Sequence, residues 1–213
     1  PLSCSARVRR GDWGAVPGVD IDRDGKSVWL FDRCETADDC SNSKLDPVLK
    51  FDASGKLVKS FGAGMINYPH GLYVDAQDNI WTVDEGTDML VKFNPAGQVV
   101  MTLGRREDPL GSLGNMPGQA VFHGRNEKYR FGRQTDVAWD QQGNIFVSDG
   151  YFDARVVKLD KNGKFIKAVG KRGNGTLEFN TPHSIATDFQ GNVYVADRGN
   201  ARVQVLDNDL NLK

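Results

Sequence analysis

Apolar and polar residues alternate at every second position through short runs that fill most of the chain, and Gly, Asn or Asp interrupts each run. That period predicts β-strands joined by tight turns. The pattern also repeats. Residues 69–85 (PHGLYVDAQDNIWTVDE), 134–150 (QTDVAWDQQGNIFVSDG) and 182–198 (PHSIATDFQGNVYVADR) align without gaps. Each has a strand-like run, a D-x-x-[DG]-N turn, and a second strand with an aromatic residue at its second position (Trp81, Phe146, Tyr194), closing on Asp84, Asp149 or Asp197. A degenerate copy precedes them at residues 16–33 (VPGVDIDRDGKSVWLFDR).

Further strand–turn–strand segments follow the first three copies in chain order: residues 48–63 (VLKFDASGKLVKSFGA), 90–105 (LVKFNPAGQVVMTLGR) and 156–171 (VVKLDKNGKFIKAVGK). Four antiparallel strands per repeat predict an all-β fold, a β-propeller of four-stranded blades. About four blades are expected in one domain over residues 1–213, at approximately 16–63, 69–105, 134–171 and 182–213, with an insertion at 106–133 that carries His123 and Arg125. The last blade stops before its outermost strand is complete, and propellers close with roughly 4–8 blades. The expectation is therefore an incomplete ring, part of a six-bladed parent, completed by a missing segment or a second chain.

Composition narrows the function classes. The 213 residues carry 27 Lys and Arg against 28 Asp and Glu, a net charge of −1, so no basic footprint for nucleic acid or an anionic membrane is present. No apolar run approaches the roughly 18 residues of a membrane helix, which argues against membrane insertion. The first ten residues show no leader pattern, so any signal peptide is already gone or was never included. Cys34 and Cys40 bracket an acidic loop as a short disulfide staple would, with reduced thiols in a cytosolic protein as the alternative. The bridge points to a secreted or periplasmic protein, and leaves Cys4 over.

In a blade the innermost strand and its neighbour are antiparallel, so residues entering the first and leaving the second share one end of the blade. The entry position holds His70, Thr135 and His183 in the second, third and fourth copies, and the exit position holds Arg33, Glu85, Gly150 and Arg198, with Tyr151 one residue further on. His70 and His183 suit a divalent metal such as zinc, although two imidazoles are fewer than the three protein ligands of a typical catalytic zinc site; a turn histidine bonded to backbone is the alternative. Arg33 and Arg198 suit a ligand carboxylate, or an ion pair with a neighbouring Asp. Tyr151 beside a cation or a metal could serve as a base. The recurring Asp84, Asp149 and Asp197 read as turn acceptors. Asn174-Gly175-Thr176 fits a glycosylation sequon.

With these residues in view, the repeats resemble NHL repeats, and the chain resembles the peptidyl-α-hydroxyglycine α-amidating lyases from about Val16 to Asp207, most densely in the strings SDGY, PHS and ADR..ARVQ. The resemblance implies a six-bladed propeller in which His70 and His183 are two of three zinc ligands, Tyr151 is catalytic, and Arg33 and Arg198 are the active-site arginines. It also implies a structural calcium taking backbone carbonyls from Val19 and Leu72. The third histidine and an accompanying Asp have no counterpart, and Gly132 and Phe152 stand where the family has a disulfide beside the tyrosine. The implied reaction acts on a small peptide or hydroxy-acid derivative, releasing a peptide amide and glyoxylate. Two other readings compete: a non-catalytic platform binding a protein, peptide or glycan, and a calcium-dependent lactonase-type hydrolase, whose metal belongs among carboxylates and asparagines that the entry positions here lack.

Overall fold

The computed structural model describes residues 13–34, 39–105 and 128–213. Cys4, His123, Arg125 and most of the 106–133 insertion lie outside the described residues. The chain divides into two compact units, one of residues up to Gly86 with Leu90–Thr102, the other of Thr87–Met89 with Leu103–Lys213.

The first unit holds two four-stranded sheets in sequential order. One is β1 (Gly18–Ile21), β2 (Val28–Phe31), β3 (Val48–Phe51) and β4 (Leu57–Phe61); the other is β5 (Pro69–Val74), β6 (Ile80–Asp84), β7 (Met89–Phe93) and β8 (Val99–Gly104), whose last residues fall in the second unit. The described pairs within them are antiparallel, with Val19 opposite Leu30 and Leu72 opposite Thr82. Phe61 seals the two sheets together, its ring 5.7 Å from Trp29 and 5.0 Å from Phe93. Gly18 is needed where β1 meets β5, because a Cβ there would lie 2.7 Å from the Leu72 backbone nitrogen.

The second unit repeats the motif. A four-stranded sheet runs β9 (Asp136–Trp139), β10 (Ile145–Asp149), β11 (Arg155–Leu159) and β12 (Phe165–Val169), and a three-stranded sheet runs β15 (Pro182–Thr187), β16 (Val193–Asp197) and β17 (Arg202–Leu206). A short parallel pair, β13 (Lys171–Arg172) with β14 (Glu178–Phe179), joins them in sequence. Phe146, Phe179, Ile185 and Val195 belong to one buried cluster that fixes the two sheets face to face.

The turn of each repeat is built from its aspartate. Asp75 accepts the backbone N–H groups of Gln77 and Asn79 at 2.9 Å each, the Trp81 indole N–H at 3.0 Å and the Lys92 ammonium at 2.9 Å. Asp22 does the same with Trp29 and Lys50, and Asp188 accepts the Tyr194 hydroxyl at 3.0 Å. Burial works to raise the Asp75 pKa, but the bonds from Lys92, Trp81 and Asn79 outweigh it and hold the carboxyl below its ordinary range. In the third repeat the aromatic residue is Phe146, which has no donor, and the Asn208 amide supplies Asp140 instead at 3.0 Å. Trp29 and Trp81 are thus polar anchors as well as core, whereas Phe146 is core alone and Tyr194 is an exposed anchor.

The strand-closing aspartates are acceptors. Asp84 takes the N–H groups of Asn67, Tyr68 and Gly86; Asp149 takes Gly132 N–H and the Arg155 guanidinium; Asp197 takes Asn180 N–H and Arg202. Each ties the segment before one strand to the end of the next.

Candidate active site

The segment after β10 brings three candidates together in the second unit. Gly150 approaches Pro182 so closely that a Cβ on it would fall 2.1 Å from the Pro182 carbonyl oxygen. This contact places Tyr151 beside His183, with the phenol oxygen 3.0 Å from Nε2 and the rings edge to face at 5.7 Å. Arg198, at the start of a 3-10 turn (Arg198–Asn200), sets its guanidinium 5.6 Å from the centre of the Tyr151 ring.

Burial and the Arg198 charge both lower the His183 pKa, because a second cation beside a half-buried imidazole disfavours protonation. At neutral pH the ring is therefore uncharged. It can accept a proton from the phenol, donate one to it, or offer a lone pair to a metal, the tautomer deciding which nitrogen is available.

Arg133 completes the group and was not singled out from sequence. Its guanidinium stands 5.3 Å from the Tyr151 ring centre and 5.8 Å from that of Phe152, so Tyr151 has a cation near it from two different segments. Arg133 sits at the last position before the third repeat, the place that Tyr68 and Thr181 take in the second and fourth, and like Thr181 it has a positive φ. That shared register was the available signal. Arg172 further pins the Tyr151 carbonyl at 2.8 Å.

Thr135, the entry residue of the third repeat, is fully engaged inside. Its hydroxyl is 3.0 Å from the Ser148 carbonyl, 2.8 Å from the Pro182 carbonyl and 2.8 Å from the Ser148 hydroxyl. Here the entry side chain bonds to backbone, which is the alternative weighed for the histidines; His183 instead faces Tyr151.

In the first unit, Arg33 donates through Nε to the Pro69 carbonyl at 2.9 Å and lies 4.0 Å from the Tyr68 ring centre. These contacts are with a carbonyl and an aromatic face. His70 Nε2 lies 3.7 Å from a carboxylate oxygen of Glu85, which is buried at the exit position of the same blade. Val19 and Leu72 sit on the adjoining strands β1 and β5. Cys34 and Cys40 form a disulfide. Among the described residues no group of three or more His, Cys, Asp or Glu is gathered as a metal cluster.

Residues 179–206, from β14 through β17, match the model of the NHL repeat. This chain carries an NHL repeat. It is 35% identical over 153 residues to the Caenorhabditis elegans protein named "probable peptidyl-alpha-hydroxyglycine alpha-amidating lyase pgal-1", a match covering 70% of this chain and 39% of that one. It is 30% identical over 171 residues to mouse NHL repeat-containing protein 3, covering 76% of this chain and 45% of the relative. A streptogramin B lyase structure superposes with a TM-score of 0.65 at 16% identity, over 96% of this chain and 55% of that one, which establishes the β-propeller class of the fold. The chain thus spans 39%, 45% and 55% of the length of these three proteins, respectively.

Gly132 and Phe152 are neighbours across the segment that carries Tyr151. Phe152 N–H donates to the Gly132 carbonyl at 2.9 Å, and a Cβ on Gly132 would be 3.0 Å from the Phe152 Cβ. Glycine at one position makes room for the phenyl ring at the other.

Proposed function

We propose that the protein is a lyase of the peptidyl-α-hydroxyglycine α-amidating type, and that Tyr151 is its base. The observation carrying this reading is the 3.0 Å contact between the Tyr151 hydroxyl and Nε2 of an uncharged His183, with Arg133 and Arg198 beside the phenol ring. Tyr151 takes the proton of the substrate's carbinol hydroxyl, the electrons of that O–H bond form the aldehyde C=O, and the C–N bond breaks. The proton then passes to the departing amide nitrogen, so the products are a peptide amide and glyoxylate. The two guanidiniums beside the ring suit the substrate carboxylate, with Arg198 as its primary fork, and Arg33 is a candidate fork in the first unit.

Zinc belongs to the same proposal. The donor chemistry of His183 fits it, a neutral imidazole beside a phenol oxygen, and His70 is the candidate ligand in the first unit. When bound, zinc would supply a Lewis acid that lowers the pKa of an attached hydroxyl. Calcium, through the Val19 and Leu72 carbonyls, is a further candidate. The Cys34–Cys40 bridge supports a secreted or periplasmic location.

The test is release of glyoxylate from a peptidyl-α-hydroxyglycine by the purified protein, before and after chelation and zinc restoration, alongside Tyr151→Phe. Turnover in the parent that falls 10²–10⁴-fold in the variant is expected, the usual size of a general-base contribution. A folded, zinc-supplied protein with no turnover overturns the lyase reading and favours the binding platform, to which the similarity to NHL repeat-containing protein 3 also points.

A further inference from the structure

At the other end of the second unit's strands from Tyr151, the turn between β9 and β10 and the turn between β15 and β16 enclose a half-open cavity of about 240 Å³, lined by Gln141, Gln142, Phe189, Gln190, Gly191 and Asn208. We infer that this cavity is a binding site for a neutral saccharide, with Phe189 as the stacking platform.

Three observations carry the inference. First, the lining has no charged side chain, which disfavours phosphates, carboxylates and cations, whereas it has four carboxamides. A carboxamide is both donor and acceptor, matching a sugar hydroxyl, which is also both. Asn208 is already committed, its amide donating to Asp140 and its carbonyl oxygen accepting Lys158, so it acts as a rigid wall. The Gln142 and Gln190 side chains are exposed and take part in no hydrogen bond among the described residues.

Second, Phe189 is 89% exposed although the turn does not need an aromatic there. The residue following the turn aspartate or asparagine is Arg23, Ala53, Ala76, Pro95, Gln141, Lys161 and Asn208 elsewhere in the chain, so any side chain serves the backbone. Only here is it a large apolar ring.

Third, the backbone that carries Phe189 is held in a fixed turn. Asp188 accepts the N–H groups of Gln190 and Asn192 and the Asn192 amide, and Gln141 Nε2 donates to the Phe189 carbonyl at 3.3 Å. With the backbone fixed, only the two side-chain torsions of Phe189 remain to be ordered on binding, and the ring's negative face suits the C–H face of a pyranose. The cavity is below the roughly 300–1,000 Å³ of sites for drug-sized ligands, which fits one sugar ring.

Labelled protein is titrated with methyl β-D-glucopyranoside, methyl α-D-mannopyranoside and N-acetyl-D-glucosamine, following the glutamine side-chain amide signals by NMR, with inorganic phosphate and triglycine as comparison ligands. A neutral sugar should shift the Gln142 and Gln190 signals with a Kd on the order of 1 mM. Phe189→Ala should weaken that binding at least tenfold, Phe189→Trp should preserve it, and neither should alter the backbone spectrum elsewhere. No shift from any of the sugars at about fifty times that concentration overturns the inference. Undiminished binding by Phe189→Ala, or shifts produced only by phosphate or triglycine, overturns it equally.

Discussion

Replacing Trp81 with phenylalanine isolates what the repeated aromatic residue contributes. The indole is 2% exposed and its N–H donates at 3.0 Å to Asp75, itself 9% exposed, while Lys92 stands 5.1 Å from the ring centre. Phenylalanine keeps most of the apolar contact and removes one hydrogen bond to a charged acceptor, worth about 1.5–3 kcal/mol. It also gives a weaker cation–π partner, worth about 0.5–1 kcal/mol more. The expected loss is about 2–4 kcal/mol, read as a lower urea midpoint with an unchanged m-value. The matched change Phe146→Tyr offers a new hydroxyl where Asn208 already serves Asp140, so it should bring no comparable gain. A loss below about 0.5 kcal/mol in Trp81→Phe would refute the reasoning, since Asn79 and Lys92 alone would then satisfy Asp75.

Other outcomes follow from the same geometry. Gly150→Ala forces a Cβ against the Pro182 carbonyl and should separate Tyr151 from His183, cutting glyoxylate release at least tenfold while the circular dichroism spectrum stays β-rich. In an NMR titration the His183 imidazole should protonate below the ordinary histidine range, and Arg198→Ala should move it back toward that range by removing one of the two causes. Because the folded-state pKa is depressed, the stability linked to His183 is complete above the unfolded value of about 6.5 and is lost as pH falls through the folded one. Changing both Cys34 and Cys40 to serine opens a loop of sequence separation 6 and should cost about 2 kcal/mol in thermal or urea unfolding, the chain-entropy value for so short a closure.

The blades were legible in the sequence because each strand pair is specified locally, by period-two alternation and an Asx turn, and repetition fixed their register. The alignment of Tyr151, His183 and Arg198 was legible for the same reason: they occupy equivalent ends of equivalent strands. Arg133 was not, because it precedes the repeat and reaches Tyr151 only through the pairing of residues 132–133 with 151–152. Nor could spacing tell that Thr135 bonds inward to Ser148 and Pro182 while His183 meets a phenol, since that choice depends on the neighbouring blade. Phe189 gave no periodic signal, because a turn position carries no side-chain pattern.

The Asx turns have one more consequence, in how the molecule meets acid. Asp22, Asp52, Asp75, Asp140, Asp188 and Asp207 are all held below the ordinary aspartate range, Asp52, Asp188 and Asp207 chiefly by bonds from their own turns, and Asp22, Asp75 and Asp140 chiefly by Lys50, Lys92 and Asn208 from neighbouring segments. Each contribution is present above an unfolded pKa of about 4 and fades as pH falls through the folded one. Acid tolerance is therefore spread over six of the recurring turns rather than gathered at one site. Protonation of these carboxyls is staggered along the chain, so each further turn of this kind lengthens that part of the titration rather than sharpening it.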